Sequence, residues 1–259
     1  MEYKIYESSI TGYKNILKGN KSQDHIEYKI SRDYIIAAVA DGHSTDFFEY
    51  SKEGANFACM AAIDVLENYI CKYKGEINYI EESIEKKEIQ RDIYEKWVYL
   101  VECHHNKIKP IVENVKHIKY GTTLSAILIT NDFKIYLKLG DSSIIIRKEN
   151  IYKNVFKHEY INNIVDSMSD SMSWKKMKTY IEKGIDKSKS QWVILFTDGF
   201  ENSFVSNEDM LGSLDKTIYE YTKNIFSKKK LLEGYEKYLM KLSKNSTLDD
   251  ISILFINII

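Results

Sequence analysis

Five aspartates stand at the ends of strand-like runs, and they carry the chemistry this chain has to offer. Asp24 precedes the alternating run His25–Ile30. Asp41, in Asp41-Gly42-His43, closes the uncharged run Tyr34–Ala40, and Asp198, in Asp198-Gly199, closes Trp192–Thr197. Asp141 follows Gly140 after Phe133–Leu139, and Asp249 precedes the run Ile251–Ile259. A single Asp-Gly is an ordinary turn pair. Five strand-end carboxylates gathered at one sheet edge are different, because they repel one another unless a hard cation neutralises them. Oxygen-only ligands suit Mg²⁺ or Mn²⁺, and two such ions in one acidic centre polarise phosphoryl oxygens and lower the pKa of a shared water. His43 adds an imidazole, ordinarily titrating near ~6.5, suited to protonating a leaving group. The acid beside it is expected to raise that value.

The elements that must position these residues are legible in the apolar pattern. His25–Ile30 alternates, Ser31-Arg32-Asp33 turns the chain, and Tyr34–Ala40 reads as a buried strand. Antiparallel pairing sets the start of the first strand beside the end of the second, so Asp24 and Asp41 should be neighbours. Residues 51–73 repeat apolar side chains at helical spacing, and a second helical pattern runs from Ile89 to Val115, interrupted before Pro110. His104 and His105 lie on it; a metal pair or packed histidines are the two readings. Residues 121–130 and 133–139 form a hairpin around Asn131-Asp132, and Ser143–Arg147 resumes an extended pattern. Residues 3–17 are weakly patterned. Residues 150–188 read as an irregular surface insertion, and helical patches lie around 207–242. No linker or repeat interrupts the chain, so residues 1–259 are expected to be one domain.

Composition excludes several classes. Lys+Arg 37 against Asp+Glu 38 gives a net charge of -1, leaving no basic surplus for a nucleic-acid backbone or an anionic membrane. The polar amino terminus does not read as a signal peptide, and no apolar run reaches membrane-spanning length. Cys59, Cys71 and Cys103 are odd in number and widely spaced, which reads as reduced packing residues in a cytoplasmic protein. One proline among many Tyr, Lys and Ile suggests an AT-rich bacterial genome.

The same residues resemble a known family, the protein phosphatase 2C family of metal-dependent Ser/Thr phosphatases in its bacterial form. Ser22-Gln-Asp24, Ala40-Asp-Gly-His43, Lys119-Tyr-Gly-Thr-Thr-Leu124, Leu139-Gly-Asp141, Phe196–Phe204 and Leu248-Asp-Asp-Ile-Ser-Ile253 follow its motifs in order over nearly the whole chain. The resemblance implies an α+β fold, a four-layer α-β-β-α sandwich with two central antiparallel sheets between helices. It implies Asp41 bridging two Mn²⁺ or Mg²⁺ ions, the Gly42 carbonyl as a further ligand, and Asp24 near the centre. Asp198 and Asp249 would bind one ion, and Asp141 with Asp198 a weaker third. The implied reaction is in-line attack of metal-activated water on phosphoserine or phosphothreonine, with Asp41 and His43 as catalytic residues. The implied partners are a phosphoprotein substrate and an opposing bacterial Ser/Thr kinase.

The chain also departs from the family pattern. Gly19 stands where many members carry a phosphate-binding Arg; Lys18 or Lys21 could supply the charge as a point, without the bidentate fork of Arg. Ser44 replaces a usual glycine, and Asp250 a usual asparagine, which puts Asp249 first for ligation. Residues 150–188 correspond to a variable flap beside the active site, where Met168, Met172, Trp174 and Met177 either form an adaptable docking surface or pack beneath it. Two alternatives stand beside the phosphatase reading: a metal-binding regulatory scaffold with weak activity, and a hydrolase of small phosphoesters.

Overall fold

A computed structural model describes residues 2–45, 47–108, 117–156, 165–184, 190–223 and 227–259. In chain order the elements are β1 (Tyr3–Ile10), α1 (Tyr13–Leu17), β2 (His25–Ile30), β3 (Tyr34–Ala40), α2 (Ser51–Lys72), α3 (Ile77–Glu85) and α4 (Glu88–Ile108). A 3-10 turn at His117–Tyr120 leads into β4 (Leu124–Thr130), β5 (Phe133–Leu139), β6 (Ser143–Lys148), β7 (Ile151–Asn154), α5 (Ser173–Lys176) and β8 (Lys178–Lys183). The chain ends with β9 (Gln191–Phe196), α6 (Asp198–Glu201), α7 (Asn207–Lys223), α8 (Lys228–Asn245) and β10 (Ile251–Ile258).

The strands form two antiparallel sheets, ordered β1-β10-β9-β6-β7 and β2-β3-β4-β5-β8. Strand periodicity explains the layering, since alternate residues face opposite sides. In β3, Ile36, Ala38 and Ala40 pack beneath α2 and α4, while Ile35, Ala37 and Val39 face the other sheet. In β9, Ile194 and Phe196 pack with α7 and α8, while Val193 and Leu195 face inward. Both faces of each sheet are thereby covered, giving helices, sheet, sheet, helices. This is the expected four-layer α-β-β-α sandwich.

Differences from the sequence reading concern edges and boundaries. Residues 3–17, weakly patterned in sequence, contain β1 and α1, and β1 pairs with β10 from Tyr3↔Ile258 to Ile10↔Ile251. A strand recruited by a partner some 240 positions away leaves little local signal. Within 150–188, β7 pairs with β6 and β8 pairs with β5 along its full length, so these two strands of that stretch belong to the sheets. Helix α4 is described to Ile108; Pro110, Ile111 and Val115 of the longer helical pattern lie outside the described residues. Helix α2 lies close on the polypeptide beside it. A Cβ at Gly54 would come within 2.0 Å of the Tyr120 carbonyl oxygen, and Trp97 Nε1 donates to the Gly54 carbonyl at 3.1 Å. Glycine is required there by proximity.

Candidate functional site

The His25↔Ala40 pair brings Asp24 and Asp41 to one end of the β2–β3 hairpin, as expected from antiparallel pairing. Asp41 is clamped through its backbone: its N–H donates to Thr123 Oγ1 at 3.0 Å, and its carbonyl accepts from the Thr123 N–H and the Thr122 hydroxyl, both at 2.9 Å. Gly42 forms a bridge with Thr122, and a Cβ there would lie 2.6 Å from the Gln23 carbonyl oxygen. Gly140, at φ +94, turns the chain against Thr123 and delivers Asp141 to the same corner. From the other sheet, β9 ends at Phe196, Thr197 follows it, and α6 begins on Asp198, with Asn202 Nδ2 donating to Asp198 Oδ2 at 3.0 Å.

Three carboxylates converge here. Asp41, Asp141 and Asp198 each present an oxygen, all within 4.8 Å of one another. Asp24 and Asp249 flank them closely enough for their charges to be felt at Asp41. Burial, then the charges of Asp24 and Asp198, push the Asp41 carboxyl well above the usual carboxylate range. Asp24 is pushed up likewise by burial and by Asp250, although the Thr197 hydroxyl donates to its Oδ2 at 2.8 Å. Burial raises Asp198 to about 6. The Asp41 and Asp198 carboxyls lie within hydrogen-bond reach of each other, which two bare anions resist unless a proton or a cation sits between them. Asp24 Oδ1 is buried with no partner. An orphaned buried carboxylate oxygen beside three convergent ones fits a hard divalent cation, and the donor set is all oxygen.

The neighbouring aspartates at the β10 start separate cleanly. Asp250 accepts from the Gly12 N–H at 2.6 Å, the Asn15 side-chain amide at 3.0 Å and the Gln23 N–H at 2.7 Å. Its carboxylate is thus spent on tying α1 and the chain before β2 to β10. Asp249 accepts from the Asp250 N–H at 3.0 Å, and burial raises its pKa.

His43 corrects one expectation. Its ring packs edge-on against Phe48 at 4.7 Å and against Gly121, where a Cβ would meet it at 2.5 Å. Burial lowers the imidazole pKa, and the opposing charges of Asp141 and Asp170 do not restore it. The acidic neighbourhood is real, but desolvation outweighs it. Lys18 and Lys21 are exposed. Lys14 acts on Asp249, and Lys138 and then His43 act on Asp141; the two lysines were unanticipated. Lys138 is the informative miss. In Phe133-Lys-Ile-Tyr-Leu-Lys-Leu139 an alternating lysine reads as a solvent face, yet Lys134 and Lys138 both point between the sheets.

The flap methionines divide. Met168 and Met177 are fully buried under α4 and the sheet, whereas Met172 is exposed. The Met168 N–H donates to the Thr122 carbonyl at 2.8 Å and Ser167 Oγ accepts from the Thr122 N–H at 3.2 Å, so residues 167–168 border the site. His104 is packed, its Nδ1 2.9 Å from the Tyr120 hydroxyl and its ring edge-on to Phe57. His105 is buried.

Comparison with known proteins bears on this arrangement. The sequence profile of protein phosphatase 2C matches residues 11–233. The chain belongs to the protein phosphatase 2C family. Membership makes it a metal-dependent protein phosphatase. No curated protein matches the phosphatase by sequence. Among solved structures it resembles the S. agalactiae serine/threonine phosphatase at 17% identity and TM-score 0.59, over 98% of this chain and 99% of that one. It also resembles the catalytic domain of the serine/threonine phosphatase PstP in complex with two manganese ions, at 14% identity and TM-score 0.56, over 98% and 97%. RsbX in complex with magnesium aligns at 17% identity and TM-score 0.52, over 99% and 96%. At these identities the likeness is one of fold. Among the described residues, no helix is long and apolar enough to cross a membrane.

Two outcomes follow from the carboxylate geometry. Asp250→Ala leaves three donors without an acceptor and should lower unfolding free energy by about 2–4 kcal/mol in urea titrations; an unchanged midpoint contradicts the bracing role. Between the ordinary carboxylate value and about 6, native Asp198 holds a proton that the unfolded chain has released. Raising the pH through that window therefore destabilises the metal-free fold. The chelated protein should melt higher at pH 5 than at pH 7.5, the gap narrowing in Asp198→Asn and on adding Mn²⁺. A melting point that rises with pH would refute this.

Proposed function

We propose that this phosphatase hydrolyses phosphoserine and phosphothreonine in protein substrates, using two Mn²⁺ or Mg²⁺ ions at the aspartate cluster. The observation that carries the reading is the convergence of Asp41, Asp141 and Asp198 oxygens within 4.8 Å, beside the orphaned Asp24 oxygen. Asp41 and the Gly42 carbonyl, with Asp24, Asp198 and Asp249, are the groups assigned to the pair of ions; Asp141 with Asp198 lines the adjoining corner, where the resemblance implies a weaker third. When bound, the ions neutralise the carboxylates, polarise phosphoryl oxygens and lower the pKa of water. The family resemblance and the metal-bound neighbours support this assignment.

The chain's own residues supply position and protons. Thr122 and Thr123 hold Asp41 by its backbone, so the carboxylate cannot swing away when the cluster is charged. His43, at the rim of the cluster on the Phe48 and Gly121 surface, is assigned the proton that the departing Ser or Thr oxygen needs. Its lowered pKa makes it a stronger acid, with its protonated fraction shrinking as pH rises toward neutrality. Lys18 and Lys21 keep a role only as exposed charges that draw a phosphorylated segment toward the mouth of the site. The whole chain, 1–259, acts as one catalytic domain in this reading, located in the cytoplasm and opposing a Ser/Thr kinase.

A phosphothreonine peptide should be dephosphorylated in Mn²⁺ and not after chelation. Asp41→Asn should reduce kcat/KM by about 10³-fold or more, measured by phosphate release, since it removes a carboxylate from the charge-stabilising cluster. Turnover unaffected by chelation would exclude the reading, and small phosphoesters preferred over the peptide would favour the small-molecule hydrolase. His43→Gln should slow the phosphothreonine peptide by about 10²-fold and p-nitrophenyl phosphate far less, because nitrophenolate leaves without a proton. Equal losses on both substrates would remove His43 from the acid role.

A further inference from the structure

Lys138 is a buried cation that the proposed chemistry does not use. It lies on β5 opposite Ser125 of β4 and Lys178 of β8, three residues before Asp141. Its strand neighbours fix its direction. Phe133, Ile135, Leu137 and Leu139 pack under the helices, whereas Tyr136 faces the second sheet, so Lys138 shares the inter-sheet face with Tyr136. Only 7% of Lys138 is exposed. An ammonium withdrawn this far from water persists as a charge where carboxylates face it.

Two carboxylates do so, and they come from different directions. Asp141 follows at the end of the same strand, and Glu201 reaches in from α6 of the other sheet. Glu201 is steered by Ser143, whose hydroxyl donates to it at 2.8 Å. It stands three residues after Asp198 on the same helical turn, which sets both carboxylates on one side. Lys178 alone among the named neighbours opposes the Lys138 charge. The Asp141 corner of the cluster is therefore supplied with a buried positive charge by the chain itself, whereas the cation acting on Asp249, Lys14, is exposed.

We propose that Lys138 is the built-in counter-ion of the Asp141 corner and that it holds off a third divalent cation there, leaving a two-ion centre. The inference rests on the metal-centre reading above. An ammonium held between the sheets three residues before Asp141, where its charge is felt, repels an incoming dication and offsets part of the carboxylate's charge, so a third ion gains little by entering. Removing that charge without removing volume should open the corner. Lys138→Met keeps the length and apolar stem of the side chain in the space between the sheets.

The test counts bound ions. Mn²⁺ binding is followed by calorimetry and by metal analysis after gel filtration, on the wild-type chain, Lys138→Met, Asp141→Asn and the double variant. Circular dichroism and a Lys138→Gln variant guard against misfolding. Wild type should take up two ions per chain, Lys138→Met a third or the same third at least tenfold tighter, and the double variant two again. Identical stoichiometry and affinity in wild type and both folded Lys138 variants would overturn the role of Lys138 while leaving the two-ion centre intact. A third ion in Lys138→Met that survives Asp141→Asn would also overturn it. No ion bound by the wild-type chain would instead sink the metal-centre reading, and this inference with it.

Discussion

The mutual repulsion of aspartates at one end of the sheet sandwich is the constraint around which the rest of the molecule is organised. Left to itself, such a cluster would splay or take up protons; burial first, and then the neighbouring carboxylates, raise Asp24, Asp41 and Asp198. The fold resists by tying the backbone rather than the carboxylates. Thr122 and Thr123 grip Asp41, and Asp250 anchors the chain near Gly12 and Gln23. The carboxylate oxygens are left for a ligand, as an active site built for electrostatic work requires.

Both sheets contribute to that end of the sandwich. Asp24, Asp41 and Asp141 come from the β2–β5 sheet or the turn after it, and Asp198 and Asp249 from the sheet carrying β9 and β10. The Thr197 hydroxyl donates to Asp24 and accepts from the Ser252 N–H, linking the two sheets at the site itself. Packing between the sheets therefore sets the spacing of the cluster. A rigid interior holds it better than loops would.

Much of this was legible in the sequence because the informative features are local. The uncharged run Tyr34–Ala40 ending on Asp41-Gly42 announces both a buried strand and its terminal carboxylate, and the Asp24–Asp41 neighbourhood follows from hairpin geometry alone. The family motifs add the order of the others. What escaped depends on distant partners. Strand β1 exists because β10 pairs with it, and β8 because β5 does. Lys138 went unnoticed because alternation normally marks a wet face, and here the second sheet covers that face. The His43 shift was misjudged in sign because a neighbouring acid is visible in sequence and the burial contributed by Phe48 and Gly121 is not.

The central claim is that these aspartates are a cage for ions and not merely strand-end turns. Anomalous diffraction at the manganese edge, from crystals grown with Mn²⁺, addresses it most directly. The account predicts two peaks within coordinating distance of Asp41, one of them shared with Asp198 and Asp249. Peaks placed elsewhere on the molecule, or none beside Asp41, would contradict it.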